Sequence, residues 1–82
     1  MKYFMSTIKL NLYSTSHCHL CEQAEKLLLK LPKISFSIIE IAHDEQLLMA
    51  YDVRIPVLQR LDTKAELNWP FNADDIAAFL AE

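Results

Sequence analysis

The chain reads as an α/β domain in the order βαβαββα, a four-stranded mixed sheet with helices on both faces. Three observations predict this. Two strand-like runs near the start are separated by a long amphipathic helical pattern, which makes them parallel neighbours joined by a right-handed crossover. Two later runs lie only three residues apart, a spacing that allows only an antiparallel hairpin. The chain then closes on a capped, amphipathic helix.

Residues 8–13 alternate, with Ile8, Leu10 and Leu12 on one face and Lys9 and Asn11 on the other. The polar turn Ser14-Thr15-Ser16-His17 breaks this pattern with residue types that cap helices. From about residue 19 to 31, Leu20, Ala24, Leu27, Leu28 and Leu31 fall at helical spacing, with Glu22, Lys26 and Lys30 on the other side. Glu22 and Lys26 form a favourable i, i+4 pair, and Pro32 closes the helix. Residues 36–41 form a second strand whose Phe and Ile content predicts burial on both faces.

Asp44 is placed to cap a short helix that turns Leu47, Leu48 and Tyr51 inward and ends near Asp52. Asp52 stands where a helix-ending glycine would be, which predicts a left-handed conformation there. Residues 56–61 and 65–69 make the hairpin around Asp62-Thr63-Lys64. Asn72 then caps the last helix, with Asp74 and Asp75 complementing its dipole and Ile76, Phe79 and Leu80 facing the core.

Eighty-two residues predict one domain, and 52% apolar residues mark a globular composition. A net charge of −3 with singly scattered Lys and Arg offers no basic stripe, which argues against nucleic acid as a partner. No apolar run approaches the roughly 18 residues of a membrane span. The opening residues 1–7 lack the apolar stretch and cleavage site of a secretory signal, and either Met1 or Met5 can serve as the start. The expected location is therefore the cytoplasm and the expected state a monomer. The two cysteines, spaced C-x-x-C, are too few for the disulfide framework of a secreted mini-protein and point instead to redox or metal chemistry.

Cys18 and Cys21 lie where the first strand hands over to the first helix. Unpaired N–H groups at a helix start favour a thiolate, so Cys18 is the expected nucleophile. Cys21, one turn further on nearly the same face, is placed to resolve a mixed disulfide formed at Cys18. His19, between them, is a candidate for tuning the thiol pKa. Two other readings stand beside this one. The cysteines can be small core residues, or His17, Cys18, His19 and Cys21 can be metal ligands, though four ligands within five residues converge poorly on one ion. His17 and His43 read as exposed or capping residues.

Arg54-Ile55-Pro56-Val57 opens the third strand, and the sheet order brings it near the start of the first helix. The runs Leu12-Tyr13-Ser14-Thr15-Ser16-His17-Cys18-His19-Leu20-Cys21, Tyr51-Asp52-Val53-Arg54-Ile55-Pro56-Val57-Leu58 and Trp69-Pro70-Phe71 together resemble the small glutaredoxin-like proteins of the thioredoxin superfamily. More narrowly, they resemble a bacterial group with Cys-His-Leu-Cys and Trp-Pro-Phe signatures. The resemblance spans residues 8–81 and implies a thioredoxin-like fold. It also implies a cis Ile55-Pro56 bond facing Cys18, with the Ile55 backbone free to pair with an extended thiol substrate.

The chain departs from glutathione-using glutaredoxins. Thr15 stands where they carry a lysine, and Trp69-Pro70-Phe71 where they carry a Gly-Gly pair before an acidic residue; there is no glycine at all. No bound cofactor is expected, and glutathione is at most a co-substrate. Arg54 is a candidate cation for a substrate carboxylate. Trp69 and Phe71 read first as core packing and second as an apolar platform beside the site. The function so read is a dithiol thiol-disulfide oxidoreductase acting on a protein or low-molecular-weight disulfide, with a reductase or glutathione as electron donor. The alternative is a non-catalytic thioredoxin-fold binding module, or a metal- or cluster-binding protein using the same cysteines.

Overall fold

A computed structural model describes residues 8–82; the reading of residues 1–7 as lacking a leader lies outside them. The elements are β1 (Ile8–Ser14), α1 (His19–Leu29), β2 (Ile34–Glu40), α2 (Glu45–Tyr51), β3 (Val57–Arg60), β4 (Glu66–Asn68) and α3 (Ala73–Leu80). They form one mixed sheet in the order β2-β1-β3-β4. β1 runs parallel to β2, with Ile8 opposite Ile34 and Ser14 opposite Glu40. It runs antiparallel to β3, with Leu12 opposite Leu58 and Tyr13 opposite Val57. β3 and β4 make the hairpin, Leu58 opposite Leu67.

Alternation along β1 sends side chains to two cores. On one face Leu10, Leu12 and Leu58 pack with Ala24 and Leu28 of α1 and with Phe71, Ile76 and Phe79 around α3. On the other, Tyr13 and Val57 pack with Ile41 and with Tyr51 of α2. Helices therefore cover both faces, as the element order predicts. Arg60, opposite Leu10, is buried on the α3 side. Its guanidinium donates to the carbonyls of Phe79, Leu80 and Glu82 at 3.0–3.2 Å, satisfying orphan acceptors at the helix end, while Asp62 holds its other edge at 2.7–2.9 Å.

Local signals set most boundaries. Asp44 caps α2 by accepting from the N–H groups of Gln46 and Leu47. Asn72 caps α3 in a reciprocal box with Asp75, at 2.8 and 2.9 Å. α1 ends at Leu29, two residues before the Leu31 expected from spacing.

Three expectations are corrected. β2 is an edge strand among the described residues, with no described strand beyond it, and Ile38 on it is 50% exposed. Asp52 is right-handed (φ −44°, ψ −53°), since α2 unwinds through tight turns in which Arg54 and Ile55 both donate to the Tyr51 carbonyl. Among the described residues the left-handed positions are His17, Lys33 and Lys64. Glu22 and Lys26 make no ion pair among the described residues.

Leu58 has no exposed surface and links β3 to both covering helices. Leu58→Ala is expected to cost about 2–5 kcal/mol of unfolding free energy, whereas Leu29→Ala on the outer face of α1 should stay within about 0.5 kcal/mol. Urea denaturation of the two variants checks this, and comparable losses would contradict the core assignment.

Candidate active site

Cys18 is itself the N-cap of α1, in extended conformation (φ −100°, ψ 106°). Its Sγ accepts from the Cys21 N–H at 3.2 Å, in the place where a serine or aspartate oxygen normally caps a helix. The chain reaches this position through His17, whose φ of 60° turns it sharply out of the preceding loop. Histidine tolerates that region better than most residues with a Cβ. Cys18 is partly accessible, whereas Cys21 is 3% exposed and belongs to the core. The two sulfurs are joined as a disulfide, with Cα atoms 5.2 Å apart.

Ser16 of the turn, one of the residues that read as helix caps, does something else. The Ser16 N–H and hydroxyl both donate to Glu40 Oε1 at 3.2 Å, and the Ala42 N–H donates to Oε2 at 3.0 Å. Glu40 ends β2 directly opposite Ser14, so its carboxylate ties the loop before Cys18 to the neighbouring strand. Hydrogen bonds from the Thr15 side chain, the Ala42 N–H and Ser16 outweigh the effect of burial and hold this carboxyl below its ordinary value. The sequence carried one sign of this role: Glu40 is the one charged residue in the apolar run 36–41.

On the other side of β1, the Ile55-Pro56 bond is cis and opens β3 one step beyond the Tyr13–Val57 pair. The register therefore brings Pro56 to the same end of the sheet as Ser14 and the cysteine turn. Pro56 is buried and Ile55 half-buried.

Arg54, read from the sequence as a cation for substrate, is already engaged. Its guanidinium reaches Glu66 Oε1 at 2.6 Å, Asn68 Oδ1 at 3.1 Å and the Ala50 carbonyl at 3.1 Å. Glu66 in turn accepts from the Tyr51 hydroxyl at 2.6 Å, and Tyr51 stacks on Tyr13 with ring centroids 4.1 Å apart. Burial works to raise the Glu66 pKa, but the Tyr51 hydroxyl and Arg54 outweigh it and lower it. Burial and the Glu66 carboxylate push the Tyr51 hydroxyl far above its usual value, so it stays a donor. This network fastens the end of α2 to β4 and brackets the segment that carries Ile55 and Pro56.

His19 is exposed at the first position of α1. Phe71 is buried and Trp69 packs edge-on against it at 5.0 Å, the core role read first for this pair. Among the described residues, no group of three or more His, Cys, Asp or Glu side chains converges as a metal-holding cluster. Nor, among them, is any helix long and apolar enough to cross a membrane.

A strand-turn-helix unit holding a bonded C-x-x-C pair, on a four-stranded sheet covered by helices on both faces, defines a thioredoxin-like fold with a redox-capable centre. The profile of the Glutaredoxin-like domain (DUF836) matches residues 9–81, and the chain belongs to that family. It is similar to protein XcR50 from X. campestris, whose X-ray structure superposes with a TM-score of 0.81 at 39% identity over 88% of this chain and 95% of that one. The solution structure of XcR50 gives 0.77 at the same identity, over 88% and 91% of the two chains. Protein Ne2328 from Nitrosomonas europaea is 30% identical over 96% of this chain and 98% of its own, with a TM-score of 0.76. No curated protein matches the chain.

Because the folded pKa of Glu40 is depressed, its contribution to stability is complete above its ordinary value of 4.5 and is lost as pH falls through the folded pKa. The stability difference between the wild type and Glu40→Gln is accordingly expected to be largest near neutral pH and to shrink on acidification below about 4.5. Denaturation midpoints across that range measure it; a pH-independent difference would remove Glu40 from the loop's support.

Proposed function

We propose that this protein is a dithiol thiol-disulfide oxidoreductase of the cytoplasm, acting as a monomer on a protein or low-molecular-weight disulfide. The observation that carries this reading is the asymmetry of one bonded pair: an accessible Cys18 at the helix N-cap, and a buried Cys21 one turn deeper.

In the reduced protein the Cys18 thiolate accepts the Cys21 N–H and faces the positive end of α1, both of which favour the anion. It attacks one sulfur of the substrate disulfide, whose other sulfur leaves as a thiolate and takes up a proton. The Cys21 thiol loses its proton and attacks Cys18 Sγ in the mixed disulfide, forming the Cys18–Cys21 bond and releasing the second substrate thiol. The substrate gains two electrons and the protein loses two. Glutathione or a dithiol reductase returns them by the reverse exchange.

The other residues act around this exchange. The cis Ile55-Pro56 segment offers the Ile55 backbone to an extended substrate beside Cys18. Arg54 holds that segment through Glu66 and Asn68 rather than meeting substrate as a free cation. His19, exposed and next to Cys18 in sequence, adds positive charge near it when protonated.

Two measurements test the reading. Fully reduced Cys18 should alkylate at about pH 6 at least about tenfold faster than the same cysteine in urea-unfolded protein, where only about 0.3% is thiolate. Cys21→Ser should accumulate a stable mixed disulfide with substrate, and Cys18→Ser should form none. Equal alkylation rates in folded and unfolded protein would end the enzymatic reading. Parallel reduction assays with a glutathione system and a thioredoxin-reductase system identify the electron donor.

A further inference from the structure

A cavity of about 230 Å³ opens beside the dithiol on the β2 side of β1, the opposite side from the Ile55-Pro56 segment. Both cysteines border it, together with Ser14, Glu22, Glu25 and Glu40. Among the described residues no lysine or arginine lines it, and His17 is the one basic group that does. Glu22 and Glu25 stand nearly one helical turn apart on α1, and among the described residues neither is in an ion pair. Glu40 stays ionised because the loop N–H groups and hydroxyls bind its charged form.

A second feature of this cavity is polar but not acidic. Ser14 is 8% exposed and borders the cavity, yet among the described residues its hydroxyl has only a 3.5 Å contact, with the carbonyl of Thr15. That is well beyond the roughly 2.5–3.0 Å of an O–H···O bond. A buried hydroxyl without a partner of ordinary length leaves an acceptor for an N–H donor entering the cavity.

We propose that this cavity is a specificity subsite for a cationic side chain, a lysine or arginine flanking the reactive cysteine of a polypeptide disulfide. The proposal rests on the oxidoreductase reading and names its substrate class. The helix rise places Glu22 about 6 Å and Glu25 about 10 Å along the axis from Cys18. A long basic side chain from a residue beside the substrate cysteine spans that distance while its sulfur meets Cys18. Its N–H groups meet Glu22 and Glu25, with Ser14 Oγ as the deeper acceptor. Glutathione, whose two carboxylates outweigh its one ammonium at neutral pH, is disfavoured by the same wall relative to a cationic peptide.

The test uses pre-reduced wild-type protein and two cystine-linked homodimeric pentapeptides, identical except for lysine or glutamate on both sides of cysteine. The second-order rate of protein oxidation is read at low salt, and dithiothreitol attacking the same peptides supplies the intrinsic reactivity ratio. After division by that ratio, the lysine peptide should react about tenfold faster or more. The preference should collapse in the double variant Glu22→Gln/Glu25→Gln and shrink at about 0.5 M salt. Glutathione disulfide should behave like the glutamate peptide. A normalised ratio near one, or a preference that survives the double variant, overturns the subsite and leaves the oxidoreductase standing. Failure of both peptides to oxidise the protein overturns both.

Discussion

β1 is the one element on which the site depends, because it pairs parallel on one side and antiparallel on the other. Its last residue, Ser14, leads into the cysteine turn. The parallel neighbour ends there too, which puts Glu40 beside the turn; the antiparallel neighbour begins there, which puts Pro56 on the other flank. Two strands of opposite direction thus deliver a strand end and a strand start to the same edge. Fixed register is what makes this reproducible, since a slip of one residue would turn Leu10 and Leu12 away from the α1 and α3 side and put Tyr13 on it.

The cysteine pair draws on that frame in two ways. Helix α1 supplies an unpaired N–H to the Cys18 sulfur, and the core against which α1 packs removes Cys21 from solvent. One sulfur is therefore partly accessible and electrostatically supported, while the one bonded to it is sheltered. The asymmetry follows from where each residue falls on one helix: the N-cap lies outside the barrel of the helix, and the third helical position faces the sheet.

The segment opposite is held differently. Arg54, Glu66, Tyr51 and Tyr13 form a relay of an ion pair, a hydrogen bond and a ring stack that runs from β4 through α2 to β1. The Arg54–Glu66 pair is partly exposed, so its own contribution is modest. Its geometric effect is larger, since it fixes the end of α2 and the residues that precede Pro56. The two flanks of the dithiol consequently have opposite character, an apolar and backbone-lined side at Ile55-Pro56 and a carboxylate-lined side at Glu22, Glu25 and Glu40.

Local chemistry in the sequence was enough to determine the order of elements, the caps at Asp44 and Asn72, the hairpin at Asp62-Thr63-Lys64 and the helix-start position of Cys18 and Cys21, because each depends on neighbours within a few residues. The tertiary structure decided the rest. Sulfur is a weak acceptor, so Cys18 does not read as a cap, and Ser16 of the turn is free to bond Glu40, 24 residues away. Apolar content alone could not show that β2 lies at the sheet edge. Arg54 meets Glu66 across 12 residues, and Ser14, Glu22 and Glu25 come to line one cavity only because a strand and a helix enclose it. Such pairings depend on strand order and register, which are set by packing of the whole chain and leave no periodic trace along it.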